Sequence, residues 1–162
     1  MNAWQPAYVG LGSNLQDPRA QVVNAFEKLG AIARTRTVIL SPLYVSKPLG
    51  PVAQPDFVNA VAGVLTQLSP EELLAHLRVL EQALGRPSRR EKWGPRIIDL
   101  DLLIYGHECR DGPELTLPHP GIRERNFVLY PLAAIAPDLD VPGLGRVARL
   151  KERVASTGLR PL

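Results

Sequence analysis

The chain has 162 residues, 45% of them hydrophobic and 22% charged, which is ordinary for a single globular domain spanning 1–162 with a real core. Its net charge of +3 and pI near 9.3 favour anionic ligands only mildly. A lone cysteine, Cys109, excludes an intramolecular disulfide, the N-terminus does not read as a signal peptide, and no run approaches the roughly 18 apolar residues of a membrane span. The expected setting is therefore a reducing cytoplasm, with no membrane partner.

Ala7 to Gly12 reads as a first strand closed by glycine, and Ser13-Asn14 as the turn after it. Asp17-Pro18 supply an N-cap and a first helical position; Val22, Val23, Phe26 and Leu29 form a helical stripe that Gly30 ends. Thr35 to Val45 is β-branched and apolar and predicts one long strand, with Pro42 marking an edge or a bulge. Ser46 to Pro55 carries four residues that break regular structure, Pro48, Gly50, Pro51 and Pro55, and is a loop. Phe57 to Gln67 is the next strand, with Phe57, Asn59, Val61 and Gly63 on one face.

Ser69-Pro70-Glu71-Glu72 is a capping box around a proline start, and Leu73, Leu77, Leu80 and Leu84 define the buried face of the helix that Gly85 closes. A basic loop and an acidic strand follow. Gly106-His107 turn the chain, a return segment runs to Leu117, and Pro118-His119-Pro120 stiffen what comes next. Arg123 to Ala136 predicts short helical turns, and the remaining segment, rich in Pro and Gly and then basic, reads as peripheral. The order strand, helix, strand, strand, helix, strand is the ferredoxin-like βαββαβ plan. It predicts an α+β fold, an antiparallel sheet backed by two helices, with C-terminal additions.

The chemistry concentrates in Arg86 to Asp101, RPSRREKWGPRIIDLD. Five basic residues (Arg86, Arg89, Arg90, Lys92, Arg96) surround Trp93, and then an alternating pattern begins. Ile98, Leu100, Leu102 and Ile104 share one strand face; Asp99 and Asp101 share the other with Leu103 and Tyr105. At ~3.3 Å per residue the two aspartate Cβ atoms stand about 6.6 Å apart, so their carboxylates can converge on cations. Adjacent carboxylates repel and lose hydration, an arrangement that a divalent ion relieves. Oxygen-only ligands suit Mg²⁺, which keeps waters and is completed by substrate phosphates. Arginines match phosphate geometry bidentately, so acids and arginines this close point to phosphoryl transfer on a nucleotide. A solvated loop followed by a strand with a polar face would carry the same residues.

Lys92-Trp93-Gly94-Pro95-Arg96-Ile97-Ile98-Asp99-Leu100-Asp101-Leu102-Leu103 resembles the signature of the 6-hydroxymethyl-7,8-dihydropterin pyrophosphokinases of folate synthesis. Four further pieces agree in order: Gly10-Leu11-Gly12-Ser13-Asn14-Leu15, Pro48-Leu49-Gly50-Pro51, Gln54-Pro55-Asp56-Phe57-Val58-Asn59, and Pro118-His119 followed by Arg125 and Phe127. The resemblance implies transfer of pyrophosphate from ATP to the pterin hydroxymethyl group. It also implies two Mg²⁺ ions on Asp99 and Asp101, with Arg86 and Arg96 neutralising charge on the transferred group. It places the pterin against Ser46, Lys47, Leu49, Phe57, Asn59, Trp93 and Phe127. ATP falls to Arg78, Glu81, Arg86, Trp93, Arg96, Leu102, Thr116, His119 and Arg125. The sequence departs from the family pattern at Lys47, Ser88, Glu114 and Pro120, which bears on how ATP is gripped.

Such an enzyme is expected to act as a monomer on small molecules, without nucleic acid. Two rivals share its features. Another Mg²⁺-dependent phosphotransferase would keep the acid pair but need no flat-ring pocket. A nucleic-acid-binding module of the same fold would carry interleaved aromatics on its central strands, and Tyr8-Val9-Gly10-Leu11-Gly12 lacks them.

Overall fold

The computed structural model describes residues 3–85 and 97–162. Within them β1 (Gln5–Ser13) leads into α1 (Pro18–Leu29), then β2 (Thr35–Leu40), β3 (Tyr44–Ser46), β4 (Phe57–Thr66) and α2 (Pro70–Ala83). After β5 (Asp99–Tyr105) comes a small ribbon of β6 (Arg110–Asp111) and β7 (Thr116–Leu117), then a 3₁₀ turn at Ile122–Glu124 and α3 (Asn126–Ile135). A second ribbon, β8 (Asp140–Val141) with β9 (Gly145–Arg146), precedes α4 (Val147–Glu152) and β10 (Leu159–Pro161).

The main sheet runs β10-β3-β4-β1-β5, with β2 also on β4, and every pairing is antiparallel. Alternation along each strand divides the interior into two layers. Ala7, Val9 and Leu11 of β1 and Val58, Ala60, Ala62 and Val64 of β4 face α1 and α2, where they meet Val22, Leu29, Leu73 and Leu77. On the other face Val61, Leu103 and Ile104 meet Leu129 and Leu132 of α3 and Val147 and Leu150 of α4. Burying a leucine as completely as Leu77 contributes about 2 kcal/mol. Most of the described residues singled out in the sequence as site candidates gather on this second face, beside the start of α3.

The helix starts obey local chemistry. Asp17 accepts the Ala20 N–H at 3.3 Å, with Pro18 as the first helical residue. Ser69 Oγ accepts the Glu72 N–H and the Glu72 carboxylate accepts the Ser69 N–H, both at 3.1 Å. Those bonds hold the Glu72 carboxyl below its usual value. The buried stripes differ from the leucine and valine patterns in both helices. Val23 is 38% exposed and Ala25 is buried instead. In α2 the buried row is Leu73, Leu77 and then Glu81, with Leu80 and Leu84 only packed along its edge.

Three expectations need correction. The predicted long strand 35–45 is two strands, both paired with β4, because Ser41-Pro42-Leu43 break it. Pro42 has no N–H to give a ladder. Ser41 carries the pairing across the gap: its N–H donates to Val61 O and its Oγ accepts the Val61 N–H, each at 2.9 Å. Next, the β5 faces exchange part-way. Val9 pairs with Leu102 but Tyr8 with Ile104, so Leu103 is the extra residue of a bulge. Ile104 therefore joins the α3 layer and Tyr105 the α1–α2 layer, where its hydroxyl donates to Leu68 O. Last, the segment after Ala136 is not peripheral: Val141, Val147 and Leu150 are core, and β10 is a strand of the main sheet. Arg123 to Ala136 forms the 3₁₀ turn and one continuous helix.

Ser41→Ala leaves the buried Val61 N–H without its acceptor. Urea denaturation should show a loss of about 1–3 kcal/mol with an unchanged m-value.

Candidate active site

A cavity of about 340 Å³ opens on the α3 side of the sheet. The three central strands build its floor in register. Asn59 of β4, Gly12 of β1 and Asp99 of β5 lie side by side, and Val61, Gly10 and Asp101 form the next row. The acids thus stand across β1 from the aromatic and amide side chains of β4. Between them β1 presents only glycines. A Cβ at Gly12 would lie 3.1 Å from Asn59 Oδ1, and one at Gly10 would touch Leu103 at 3.5 Å.

Ten of the residues singled out in the sequence line this cavity: Ser46, Lys47, Leu49, Phe57, Asn59, Asp99, Asp101, His119, Arg125 and Phe127. Asn59 is buried and its Nδ2 donates to the buried Ser46 Oγ at 2.5 Å, which orients the amide. Asn14 Nδ2 donates to Gln54 Oε1 at 2.8 Å and to Pro55 O at 2.9 Å, tying the end of β1 to the loop that precedes Phe57.

The acid pair carries a cost. Burial first, and the neighbouring Asp99 charge second, push the Asp101 carboxyl up to about 6; Arg78 and Arg125 offset part of this. Its strand is held from outside. Arg78 Nη1 donates to Leu100 O at 3.0 Å and to Glu81 Oε1 at 2.6 Å, and Glu81 Oε2 accepts the Leu100 N–H at 2.8 Å. One ion pair from α2 thereby satisfies the backbone of the residue between the two aspartates.

That contact corrects the assignment of Glu81 to ATP. Its side chain is 0% exposed, below the sheet edge and outside the cavity, so it positions Arg78 and β5. Leu102 is corrected likewise: its side chain is in the α1–α2 core. Thr116 sits in β7 with its hydroxyl donating to Gly112 O at 3.4 Å, and Arg78 is half-exposed beside β5; neither lines the cavity. Arg86, Trp93 and Arg96, with Ser88, Arg89, Arg90 and Lys92, lie outside the described residues.

His119 is locked from both sides. Its N–H donates to Leu103 O at 2.8 Å, and its Nδ1 accepts the Gly121 N–H at 3.0 Å. The remaining proton is therefore on Nε2, a donor available to the cavity. Burial, with Arg125 and Arg78 nearby, lowers its pKa to about 4, so the ring is neutral at pH 7. Arg125 passes over Gly121, where a Cβ would come within 2.5 Å of Nε, and its guanidinium lies 5.8 Å from the Phe127 ring centre. Gly10, Gly12 and Gly121 were not picked out from the sequence as site residues. The glycines on alternate positions of β1 were a readable signal of close approach; the role of Gly121 depends on the path of a side chain four residues on.

The model of the 7,8-dihydro-6-hydroxymethylpterin-pyrophosphokinase family matches residues 8–137. The chain belongs to this family. A Pseudomonas aeruginosa protein named 2-amino-4-hydroxy-6-hydroxymethyldihydropteridine pyrophosphokinase is 49% identical over 138 residues, covering 85% of each chain. A Haemophilus influenzae protein of the same name is 44% identical over 149 residues, covering 92% of each. The wild-type Plasmodium falciparum HPPK-DHPS crystal structure with pteroate superposes with a TM-score of 0.73 at 14% identity, which speaks for the fold alone. The match covers 94% of this chain and 43% of that longer one. The shared architecture is a mixed α/β fold with an antiparallel sheet and four helices. Among the described residues of this pyrophosphokinase-family chain, no helix is long and apolar enough to cross a membrane.

The raised Asp101 pKa has a signed consequence. The folded carboxyl holds its proton to about pH 6 and the unfolded one releases it near 3.8, so rising pH across that window removes stability. Without divalent cations, Asp101→Asn should be more stable than the parent by roughly 1–3 kcal/mol near pH 8 and equal to it near pH 4. Thermal unfolding at the two pH values checks this.

Proposed function

We propose that the chain transfers pyrophosphate from ATP to the hydroxymethyl group of 6-hydroxymethyl-7,8-dihydropterin in folate synthesis, releasing AMP, and that the cavity described above is where it does so. The observation that carries this reading is the shared floor: a flat-ring wall on β4 and an acid pair on β5 face one cavity across a glycine strand. We read the strand order as the ferredoxin-like plan with C-terminal additions.

The donor set fits Mg²⁺. Two oxygen ligands face a cavity with room for phosphates, and the raised Asp101 pKa marks negative charge that its surroundings do not fully offset. Among the described residues no cluster of three His, Cys, Asp or Glu side chains could form an all-protein cage. Asp99 and Asp101 would hold the two ions, with water and substrate phosphate completing the shell. When bound, Mg²⁺ supplies charge neutralisation and alignment of the triphosphate oxygens.

The residues present do the rest. Phe57 and Phe127, which line the cavity, would flank the pterin ring, and Asn59 with Ser46 would meet its pyrimidine edge. Lys47 and Leu49 close that side, and Trp93 is assigned there by resemblance. The pterin hydroxyl oxygen forms a bond to the β-phosphorus while the bond from that phosphorus to the α,β-bridging oxygen breaks; AMP leaves with the bridging oxygen, and the hydroxyl proton is released to solvent. Positioning and charge neutralisation dominate such a transfer. Neutral His119 offers its Nε2–H to a phosphate oxygen and Arg125 a guanidinium. Arg78 and Thr116 are assigned to the nucleotide by resemblance, although neither lines the cavity. Arg86 and Arg96 are assigned to the charge that develops on the transferred group.

A coupled assay should show AMP formation that requires ATP, Mg²⁺ and the dihydropterin together. Asp99→Ala and Asp101→Ala should each lower kcat by at least about 10³-fold with the fold intact by circular dichroism. AMP released without the pterin would point to a different phosphotransferase. Arg96→Ala should lower kcat by roughly 10²-fold or more and change the nucleotide Kd by less than about threefold, measured by single-turnover kinetics and equilibrium binding.

A further inference from the structure

The segment 154–162 runs from the start of α3 to β3, and both of these carry cavity-lining residues. At its near end Asn126, the first residue of α3, donates through Nδ2 to Ala155 O at 3.0 Å and to Thr157 O at 2.9 Å. Tyr130 adds a hydroxyl bond to Val154 O at 2.8 Å. Asn126 sits between Arg125 and Phe127, both of which line the cavity. At the far end Gly158, with φ of 74°, turns the chain, and its carbonyl accepts the Lys47 N–H at 3.1 Å. The Lys47 side-chain stem lies 3.5 Å from where a Gly158 Cβ would stand. Leu159, Arg160 and Pro161 then pair with Ser46, Val45 and Tyr44, and Leu162 N–H donates to Leu43 O at 3.0 Å. Ser46 is the residue that holds the Asn59 amide.

This strand buries little. Arg160 and Pro161 are exposed and Leu162 is 57% exposed, so its bonds are mostly to backbone at a sheet edge. Such an element adds little to the core but removes freedom from the short strand it pairs with. We infer that residues 155–162, anchored by Asn126, form a strap that pre-orders the Ser46–Leu49 wall of the substrate pocket relative to Phe127. Asn126 is thus a positioning residue for the flat-ring substrate. The inference rests on the pterin assignment of that wall, but its first test does not.

Hydrogen exchange on the unliganded protein should be faster over residues 43–49 in Asn126→Ala and in a chain ending at Gly158, with exchange in β1 and β5 unchanged. Unaltered exchange over 43–49 in both variants would overturn the strap whatever the enzyme's substrate. In steady-state kinetics both variants should raise KM for the dihydropterin by about threefold to tenfold, the cost of ordering one or two side chains on binding. kcat and KM for ATP should stay within twofold of the parent, roughly the scatter between similar preparations. A pterin KM that does not rise, or an equal rise in both KM values, would also overturn it. Failure of the parent chain itself to turn over would count against the pterin reading and leave the exchange result to decide the strap.

Discussion

Two carboxylates are kept side by side on an edge strand, and much of the site answers to that constraint. A lone edge strand carrying Asp99 and Asp101 would have every reason to splay, since like charges repel and the outward backbone groups of Leu100 would otherwise face solvent. Glu81 and Arg78 answer on the outer side, closing both polar groups of Leu100 with one ion pair. β1 answers on the inner side, pairing Gly12 with Asp99 and Gly10 with Asp101. Held from both flanks, the acids stay close together, and burial first, with the Asp99 charge second, lifts Asp101 to about 6. The divalent cation proposed for this pair would relieve that cost, so stability would be given up where binding needs it.

The glycines of β1 connect the two halves of the pocket. They let the acid face of β5 and the Phe57–Asn59 face of β4 share one floor with no side chain between them. The same economy of volume recurs at Gly121, which clears the path of Arg125 toward the cavity and whose N–H sets the His119 tautomer. With its pKa lowered to about 4, His119 stays neutral with its proton on Nε2 across the range in which an exposed imidazole titrates. The cavity walls are held through backbone and amide bonds: Asn14 to Gln54 and Pro55 on one side, Asn126 to Ala155 and Thr157 on the other.

The elements legible in the sequence were those whose cause is local. Asp17-Pro18 and the Ser69 capping box start helices by bonds within four residues, and both sets of bonds form. The alternation at Asp99–Leu100–Asp101 depends only on a period of two, and the acids do share the cavity face. The resemblance pointed to ten side chains that line one cavity, and family membership followed from the same motifs. Thr116 and Arg78 were also assigned to ligands by resemblance, and they lie outside that cavity.

What the sequence determined by itself was the composition of the site: paired acids, a neighbouring basic loop, a Pro/Gly loop and an amide-bearing strand. Tertiary structure alone decided the partners. The Leu103 bulge, which hands Ile104 and Tyr105 to opposite layers, arises from pairing with β1 across most of the chain's length. Glu81 follows Leu77 at a buried helical position, and only the approach of Leu100 makes a charge there tolerable. The final segment reads as peripheral in the sequence because it is rich in Pro and Gly and then basic. Its place in the sheet is set by open backbone groups on β3, which leave no mark in side-chain hydrophobicity.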